Sequence, residues 1–316
     1  MTNIKELVIN FHMTEACNYR CGYCYGKWQD NTSATELHHS SESIQDLLLM
    51  LAEYFFSNNQ IRQGLGYQSV RINFAGGEPV MIGARFISAL LFAKSIGFNT
   101  SLITNEHFLS PAMLRRIAPH LDMLGLSFDT ADYLIAQSIG RTDHKGEWFS
   151  PQKALTVTAL YRQLNPQGKL KVNTVVNAFN FRENLNETIA LLQPDKWKLL
   201  RALPVYSDQL TISQEKYDSY VQKHKEHNNV IAIEDNCDMW ESYLMINPES
   251  NFYQNSSSCQ GLTLSPSILD IGVSKALNHV NFNIKAFASR YPSSFPQVIY
   301  LASINLAGSA SIILAG

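Results

Sequence analysis

Two hydrophobic periods take turns along this chain. Short apolar runs of the kind that form buried strands alternate with stretches whose apolar residues recur at helical spacing. Leu7–Met13 predicts a first strand, Ser43–Phe56 a helix, and Val70–Phe74 a second strand that runs into Gly76–Gly77. Ala84–Ser95 predicts a helix ended by Gly97, followed by a strand at Thr100–Thr104. Ser110–Pro111 has the form of an N-cap with proline at the first helical position. Met123–Ser127 predicts a fourth strand, and a helix near Gln152–Leu164 precedes a strand at Leu170–Val176. A helix at Asn184–Leu192 leads to a strand at Trp197–Leu203. β-α units repeated at roughly 30 residues predict an α/β fold with a parallel sheet. About six of them suit a partial (β/α)6 barrel over residues 1–205.

Beyond about Tyr206 the pattern becomes more polar. Residues 206–297 predict a C-terminal extension closing the barrel mouth. The last stretch, 298–316, carries no charged residue. Its length would allow a membrane span, but Ser, Asn, Gly and Ala dilute it and no basic flank follows. A divergent apolar tail is the expectation, not a span.

Unusual residues collect where strands end. The cysteine loop, Gly76–Pro79, Asn105, Ser127 with Asp129, and Asn173 with Asn177 all follow predicted strands. In parallel barrels that rim carries the chemistry.

Composition narrows the partners. The 316 residues carry a net charge of −2, and only 16% are charged, against roughly 25% in an average chain. No general attraction to nucleic acid or membrane follows, so an anionic ligand needs a local cationic cluster. The first ten residues hold Lys5 and Glu6 and no apolar core of a signal peptide. A cytoplasmic, monomeric protein is expected.

Three of the five cysteines, Cys17, Cys21 and Cys24, stand in the run CNYRCGYC. This C-x3-C-x2-C spacing puts three thiols on one loop. A cubane iron–sulfur cluster normally takes four thiolates, so three would leave one iron open to a small molecule. Structural zinc is the competing reading, but it asks for four ligands in paired spacings. Structural thiols are a second. A disulfide framework fits poorly with an odd number and a reducing compartment. Gly76-Gly77-Glu78-Pro79 could bring backbone N–H groups close to a ligand, with Glu78 accepting from an ammonium group, or could be a plain turn. Asn105, Ser127 and Asn173 could cap turns, and Arg141 could be a surface arginine. Together they offer hydroxyl and amide partners and a guanidinium for a carboxylate. Lys171 and Asn173 share one strand face, as do Lys196 with Lys198 and Arg71 with Asn73. Inward lysines are costly without an anion, and a polyphosphate would match them.

Tyr23, just before the third cysteine, completes a C-x3-C-x-aromatic-C pattern that resembles the radical S-adenosylmethionine (radical SAM) signature. The stretches VINFHMTEACNYRCGYCYGK, INFAGGEP, IGR at Ile139–Arg141, KVNTVVNAFN, KWKLLRAL, SYLMI and SILDIGVSKAL resemble the viperin family, over roughly residues 7–290. The resemblance implies a [4Fe–4S] cluster on Cys17, Cys21 and Cys24. It implies S-adenosylmethionine on Gly76, Gly77, Glu78, Asn105, Ser127, Arg141 and Asn173. It implies a nucleoside triphosphate on Asn10, Arg71, Lys171, Lys196 and Lys198, with Glu234–Asn236 matching a base-contacting loop. Lysine stands in the family at Arg71 and arginine at Lys196. Tyr243 matches a tyrosine that returns hydrogen late in the reaction, although a packed aromatic is the plain alternative. The implied reaction removes hydrogen from C4′ and the 3′-hydroxyl as water. Its product is a 3′-deoxy-3′,4′-didehydro nucleotide, an antiviral chain terminator. The electron would come from a donor such as flavodoxin or ferredoxin. The family's basic C-terminal segment has no counterpart, since nothing after Arg290 is basic. A peptide maturase or activase of the same superfamily, and a non-enzymatic iron–sulfur or zinc protein, are the other readings. A maturase would bring further cysteines, and only Cys237 and Cys259 remain.

Overall fold

The computed structural model describes residues 4–26, 31–256 and 262–291. The tail expected at 298–316, residues 292–297 and Cys259 lie outside the described residues. Six strands match the six expected: β1 (Glu6–His12), β2 (Ser69–Ala75), β3 (Asn99–Thr104), β4 (Met123–Ser127), β5 (Lys169–Val176) and β6 (Lys196–Arg201). Each pairs in parallel with the next.

The extension adds strands to both edges of the same sheet. β7 (Ile231–Glu234) pairs in parallel with β6. β8 (Leu244–Ile246) pairs in parallel with the other side of β1. β9 (Asn251–Asn255) and β10 (Leu262–Ser267) continue from β8 as antiparallel strands. The resulting ten-stranded sheet begins at β10, ends at β7 and does not close, which makes it a partial barrel.

Helix starts follow local chemistry. Ser40, Ser110 and Ser150 each accept from a backbone N–H three residues on, and Pro111 and Pro151 open the latter two helices. The cap at Ser40 starts the first long helix at Ser41; Ser43, the expected start, is the residue that donates to it.

Alternation within the strands sorts two environments. Leu7, Ile9 and Phe11 of β1, Ile72 and Phe74 of β2, and Trp197 and Leu199 of β6 are fully buried in one apolar core with the helices. Each such side chain contributes roughly 1.5–3 kcal/mol by leaving water. The alternate positions face the barrel interior and are largely polar. Asn10 lies opposite Asn73, which lies opposite Ser101. Ser127 lies opposite Asn173, and Asn173 opposite Lys198. Lys171 lies between Gly125 and Lys196. Period 2 thus builds a greasy shell around a polar lumen.

Candidate active site

The cysteine loop leaves β1 and is braced on both sides by backbone. Gly77 and Glu78 donate their N–H groups to Thr14 O and Ala16 O, both at 2.8 Å. Arg20 and Gly22 donate to Gly140 O and Ile139 O at 2.9 and 3.1 Å. The glycines are required by this contact. A Cβ on Gly77 would stand 2.1 Å from Ala16 O, and one on Gly140 would stand 2.1 Å from Arg20 O. Gly76 and Gly140 also adopt φ of +139° and +80°, in the region that favours glycine. The expectation of N–H donors left for a ligand is corrected here for Gly77 and Glu78, whose donors are spent on the loop. Both residues still line the cavity beside it. A second brace comes from buried Glu36, which accepts from Thr14 Oγ1 at 2.8 Å and Glu15 N at 2.9 Å.

Cys17, Cys21 and Cys24 all line one cavity of about 270 Å³. Burial pushes the Cys17 and Cys24 thiols up to about 12 and raises Cys21 as well. A thiol so placed ionises against a metal charge rather than on its own. Three thiols on one loop, all lining one cavity, fit a [4Fe–4S] cluster in which separate irons each take one thiolate.

Around the cysteines stand the residues expected to hold S-adenosylmethionine. Glu78 is buried, and both its oxygens are engaged, by Val80 N, Thr104 Oγ1 and Asn105 N at 3.1, 2.8 and 2.6 Å. It ties the turn after β2 to the end of β3. Burial nevertheless raises its carboxyl to about 7. Asn105 Nδ2 reaches Asn18 Oδ1 at 2.9 Å, and Cys17 Sγ at 3.8 Å. Arg141 pairs with Asp129 at 2.9 Å and donates to Tyr23 Oη at 3.1 Å and to Ser127 O. Tyr23 itself donates to Asp129. The aromatic of the cysteine motif is therefore latched to the end of β4 through Asp129, one of the strand-end residues the sequence singled out. Asn173 Oδ1 is buried in the cavity wall without a hydrogen-bond partner among the described residues. A buried orphan acceptor is costly and fits a ligand hydroxyl.

The same cavity descends into the lumen to Asn10, Lys171, Lys198 and Tyr243. Lys171 has no ion-pair partner among the described residues, and burial, with Lys198 and Lys196 nearby, drives its pKa well below the ordinary lysine value. Lys198 pairs with Glu234 at 2.5 Å and donates to Tyr243 Oη at 2.8 Å. Burial lowers Lys198 to about 7 although Glu234 opposes the shift. For Glu234, burial alone would raise the carboxyl, but Lys198 and Arg290 outweigh it and hold it below the usual range.

Several expected ligands sit differently. Glu234 does not line the cavity, and its buried carboxylate is taken by Lys198, Arg290 and Tyr243. Asn236 opens a short helix after Asp235 and does not line the cavity. Arg71 is turned to Glu6, at 2.7 Å, and Lys196 lies over the Tyr291 ring at 5.6 Å; neither lines the cavity. Both stand near the amino ends of their strands, below the cavity floor. Arg290 is a residue the sequence reading missed. The only signal was that it is the last basic residue of the chain.

Comparison with known proteins decides the family. The radical SAM superfamily model matches residues 11–150. A protein from Pseudoalteromonas ulvae named S-adenosylmethionine-dependent nucleotide dehydratase is 67% identical over 293 residues, covering 93% of this chain and 95% of the relative. The chain belongs to the S-adenosylmethionine-dependent nucleotide dehydratase family. A second member, from Psychrobacter lutiphocae, is 36% identical across 91% of this chain and 95% of its own length. Among solved structures, native anSMEcpe with bound AdoMet and Kp18Cys peptide superposes with a TM-score of 0.65 at 14% identity, covering 89% of this chain and 84% of that one. At that identity the likeness shows the fold. The dehydratase family places this chain among enzymes that use a [4Fe–4S] cluster with S-adenosylmethionine. Among the described residues, no helix is long and apolar enough to cross a membrane.

Proposed function

We propose that this protein dehydrates a nucleoside triphosphate, CTP, UTP or GTP, to its 3′-deoxy-3′,4′-didehydro analogue. The observation that carries the reading is one cavity lined both by the three cysteines and by Lys171, a half-buried lysine with no ion-pair partner among the described residues. Such a lysine asks for an anion, and the nucleotide named for the relatives carries one.

Each group then has a task. Cys17, Cys21 and Cys24 hold the cluster, and Gly76, Gly77, Glu78, Asn105, Ser127, Arg141 and Asn173 surround S-adenosylmethionine. With the reduced cluster, bound S-adenosylmethionine supplies the agent that takes hydrogen from C4′. Lys171 and Lys198 grip phosphate from the cavity floor, with Asn10 beside them and Arg71 and Lys196 adding charge from below. Gripping the phosphates fixes the ribose at a distance, so that C4′ rather than another carbon meets the reactive group. Tyr243 keeps its phenolic proton, because burial raises its pKa well above the ordinary tyrosine value. Two electrons, one to cleave S-adenosylmethionine and one that with a proton completes the alkene, come from a small carrier such as flavodoxin or ferredoxin, and the enzyme works as a cytoplasmic monomer.

The test is anaerobic. Reconstituted protein receives S-adenosylmethionine, dithionite and one of CTP, UTP, GTP or ATP, and mass spectrometry follows the products. One triphosphate should yield 5′-deoxyadenosine together with a nucleotide lighter by one water. Cleavage of S-adenosylmethionine with every nucleotide returned intact would refute the substrate.

A further inference from the structure

The guanidinium placed beside S-adenosylmethionine is held by two groups that have no task so far. Arg141 and Asp129 form an ion pair at 2.9 Å, with side chains 8% and 1% exposed. Asp129 is fixed from both sides. Its Oδ1 accepts from Val175 N at 2.7 Å, while Oδ2 meets Arg141 and accepts from the Tyr23 hydroxyl. Tyr23 Oη in turn accepts from Arg141 Nη1 at 3.1 Å. Ser127 O accepts from Nη2, and the guanidinium carbon lies 5.6 Å from the centroid of the Tyr19 ring. Tyr19, Tyr23, Ser127, Asp129 and Arg141 all line the cavity that the three cysteines line. A guanidinium has five donors in one plane. The contacts with Asp129, Tyr23 and Ser127 use at most three of them, which leaves two for a bidentate carboxylate.

We infer that Asp129 and the Tyr23 hydroxyl are positioning residues that act through Arg141 and aim its guanidinium at the carboxylate of S-adenosylmethionine. This deepens the proposed function and rests on its assignment of Arg141 to S-adenosylmethionine, but it needs no nucleotide. A loose arginine loses its rotamer freedom when it grips a ligand, whereas one already fixed on two neighbours does not. Tyr23 stands between Cys21 and Cys24. The loop that carries the cluster thiols therefore also sets the grip on the molecule that must reach the cluster. The hydroxyl carries this role and the ring does not, so phenylalanine at position 23 would keep the aromatic of the cysteine motif and break the link. Charge alone predicts the opposite sign at Asp129, because removing a carboxylate beside Arg141 would strengthen its pull on a ligand carboxylate.

S-adenosylhomocysteine tests this, because it carries the same carboxylate and is not cleaved. Reconstituted full-length protein is titrated with it anaerobically by calorimetry, and iron content confirms that each variant carries its cluster. Tyr23→Phe should weaken S-adenosylhomocysteine by about three- to tenfold, as expected for a lost hydrogen bond to a charged partner. Asp129→Asn should weaken it further. Arg141→Gln should weaken it too, and adding Tyr23→Phe to that variant should change binding by no more than about twofold, since a role that acts through Arg141 vanishes with it. If Arg141→Gln does not fold, Arg141→Lys, which keeps the charge and loses the planar fork, takes its place in the cycle. A merely structural Tyr23 hydroxyl would cost the same with and without Arg141, and that outcome overturns the inference. Unchanged binding in Tyr23→Phe, or tighter binding in Asp129→Asn, overturns it as well while leaving Arg141 as the ligand. If Arg141→Gln binds S-adenosylhomocysteine as the wild type does, or the wild type does not bind it, the assignment of Arg141 falls and the inference with it.

Discussion

Lys198 stands close to losing its charge. Burial takes it to about 7, so it is half-charged near neutrality in the empty protein. Its folded value lies below that of an unfolded lysine, so between about 7 and the ordinary lysine range the unfolded chain binds more protons. Stability from this group therefore rises with pH across that window, and below 7 the buried charge costs its full amount. Phosphate binding reverses the preference, because an anion favours the charged lysine. Nucleotide affinity should fall as pH rises through 7, with proton uptake on binding. Titration calorimetry in buffers of different ionisation enthalpy would measure it; affinity flat from pH 6 to 8 would contradict the role of Lys198. At the cysteines the expectation is all-or-none. Cys21→Ala should leave too few thiolates for the cluster, with loss of iron content and of all S-adenosylmethionine cleavage. At this scale the cysteines and Gly76-Gly77 were legible because their spacing lies within one loop. The pairings of Arg290 with Glu234 and of Tyr23 with Asp129 were not, because the partners stand far off in sequence: Glu234 is 56 residues from Arg290, and Asp129 is 106 from Tyr23.

Between elements, the cysteine loop works as a clamped object. The turn after β2 grips it on one side, and Ile139-Gly140 grips it on the other. Gly140→Ala tests the clamp. The added methyl would meet Arg20 O at 2.1 Å, at a φ that alanine rarely adopts. Destabilisation of roughly 1–3 kcal/mol is expected, seen as a lower Tm and reduced iron incorporation. Full iron loading at unchanged Tm would show that the loop does not depend on this contact. The glycines that looked like a ligand cradle in sequence thus turn out to be cut to fit another piece of backbone. Sequence reveals that a position needs glycine; it does not reveal what crowds it.

Across the whole molecule, an open sheet carries an apolar shell and a charged lumen. The empty lumen is under electrostatic load, since Lys171 makes no ion pair among the described residues and feels Lys198, Lys196 and Arg71 with Glu234 opposing them. Lys171→Met should therefore raise the Tm of the ligand-free protein by a few degrees, since removing a half-buried, unpaired charge from among like charges is worth about 1 kcal/mol. The same variant should lose the stabilisation that tripolyphosphate gives the wild type, which is about 2.7 kcal/mol at a hundredfold excess over Kd. A less stable methionine variant would mean that Lys171 is solvated in the empty state.

The sequence by itself determined the β-α order, the partial barrel, the cysteine site and the family. These depend on period, spacing and chemistry within short stretches, which local sterics and burial translate directly into structure. Only the tertiary structure decided that β7 and β8 would extend opposite edges of one sheet, because strand pairing depends on hydrogen bonds between segments far apart in the chain. It also decided that Glu234 would pair with Lys198 and Arg290, and that Asn236 would stay outside the cavity. A buried charge takes the partner that folding brings within reach, and no local pattern along the chain records which partner that will be.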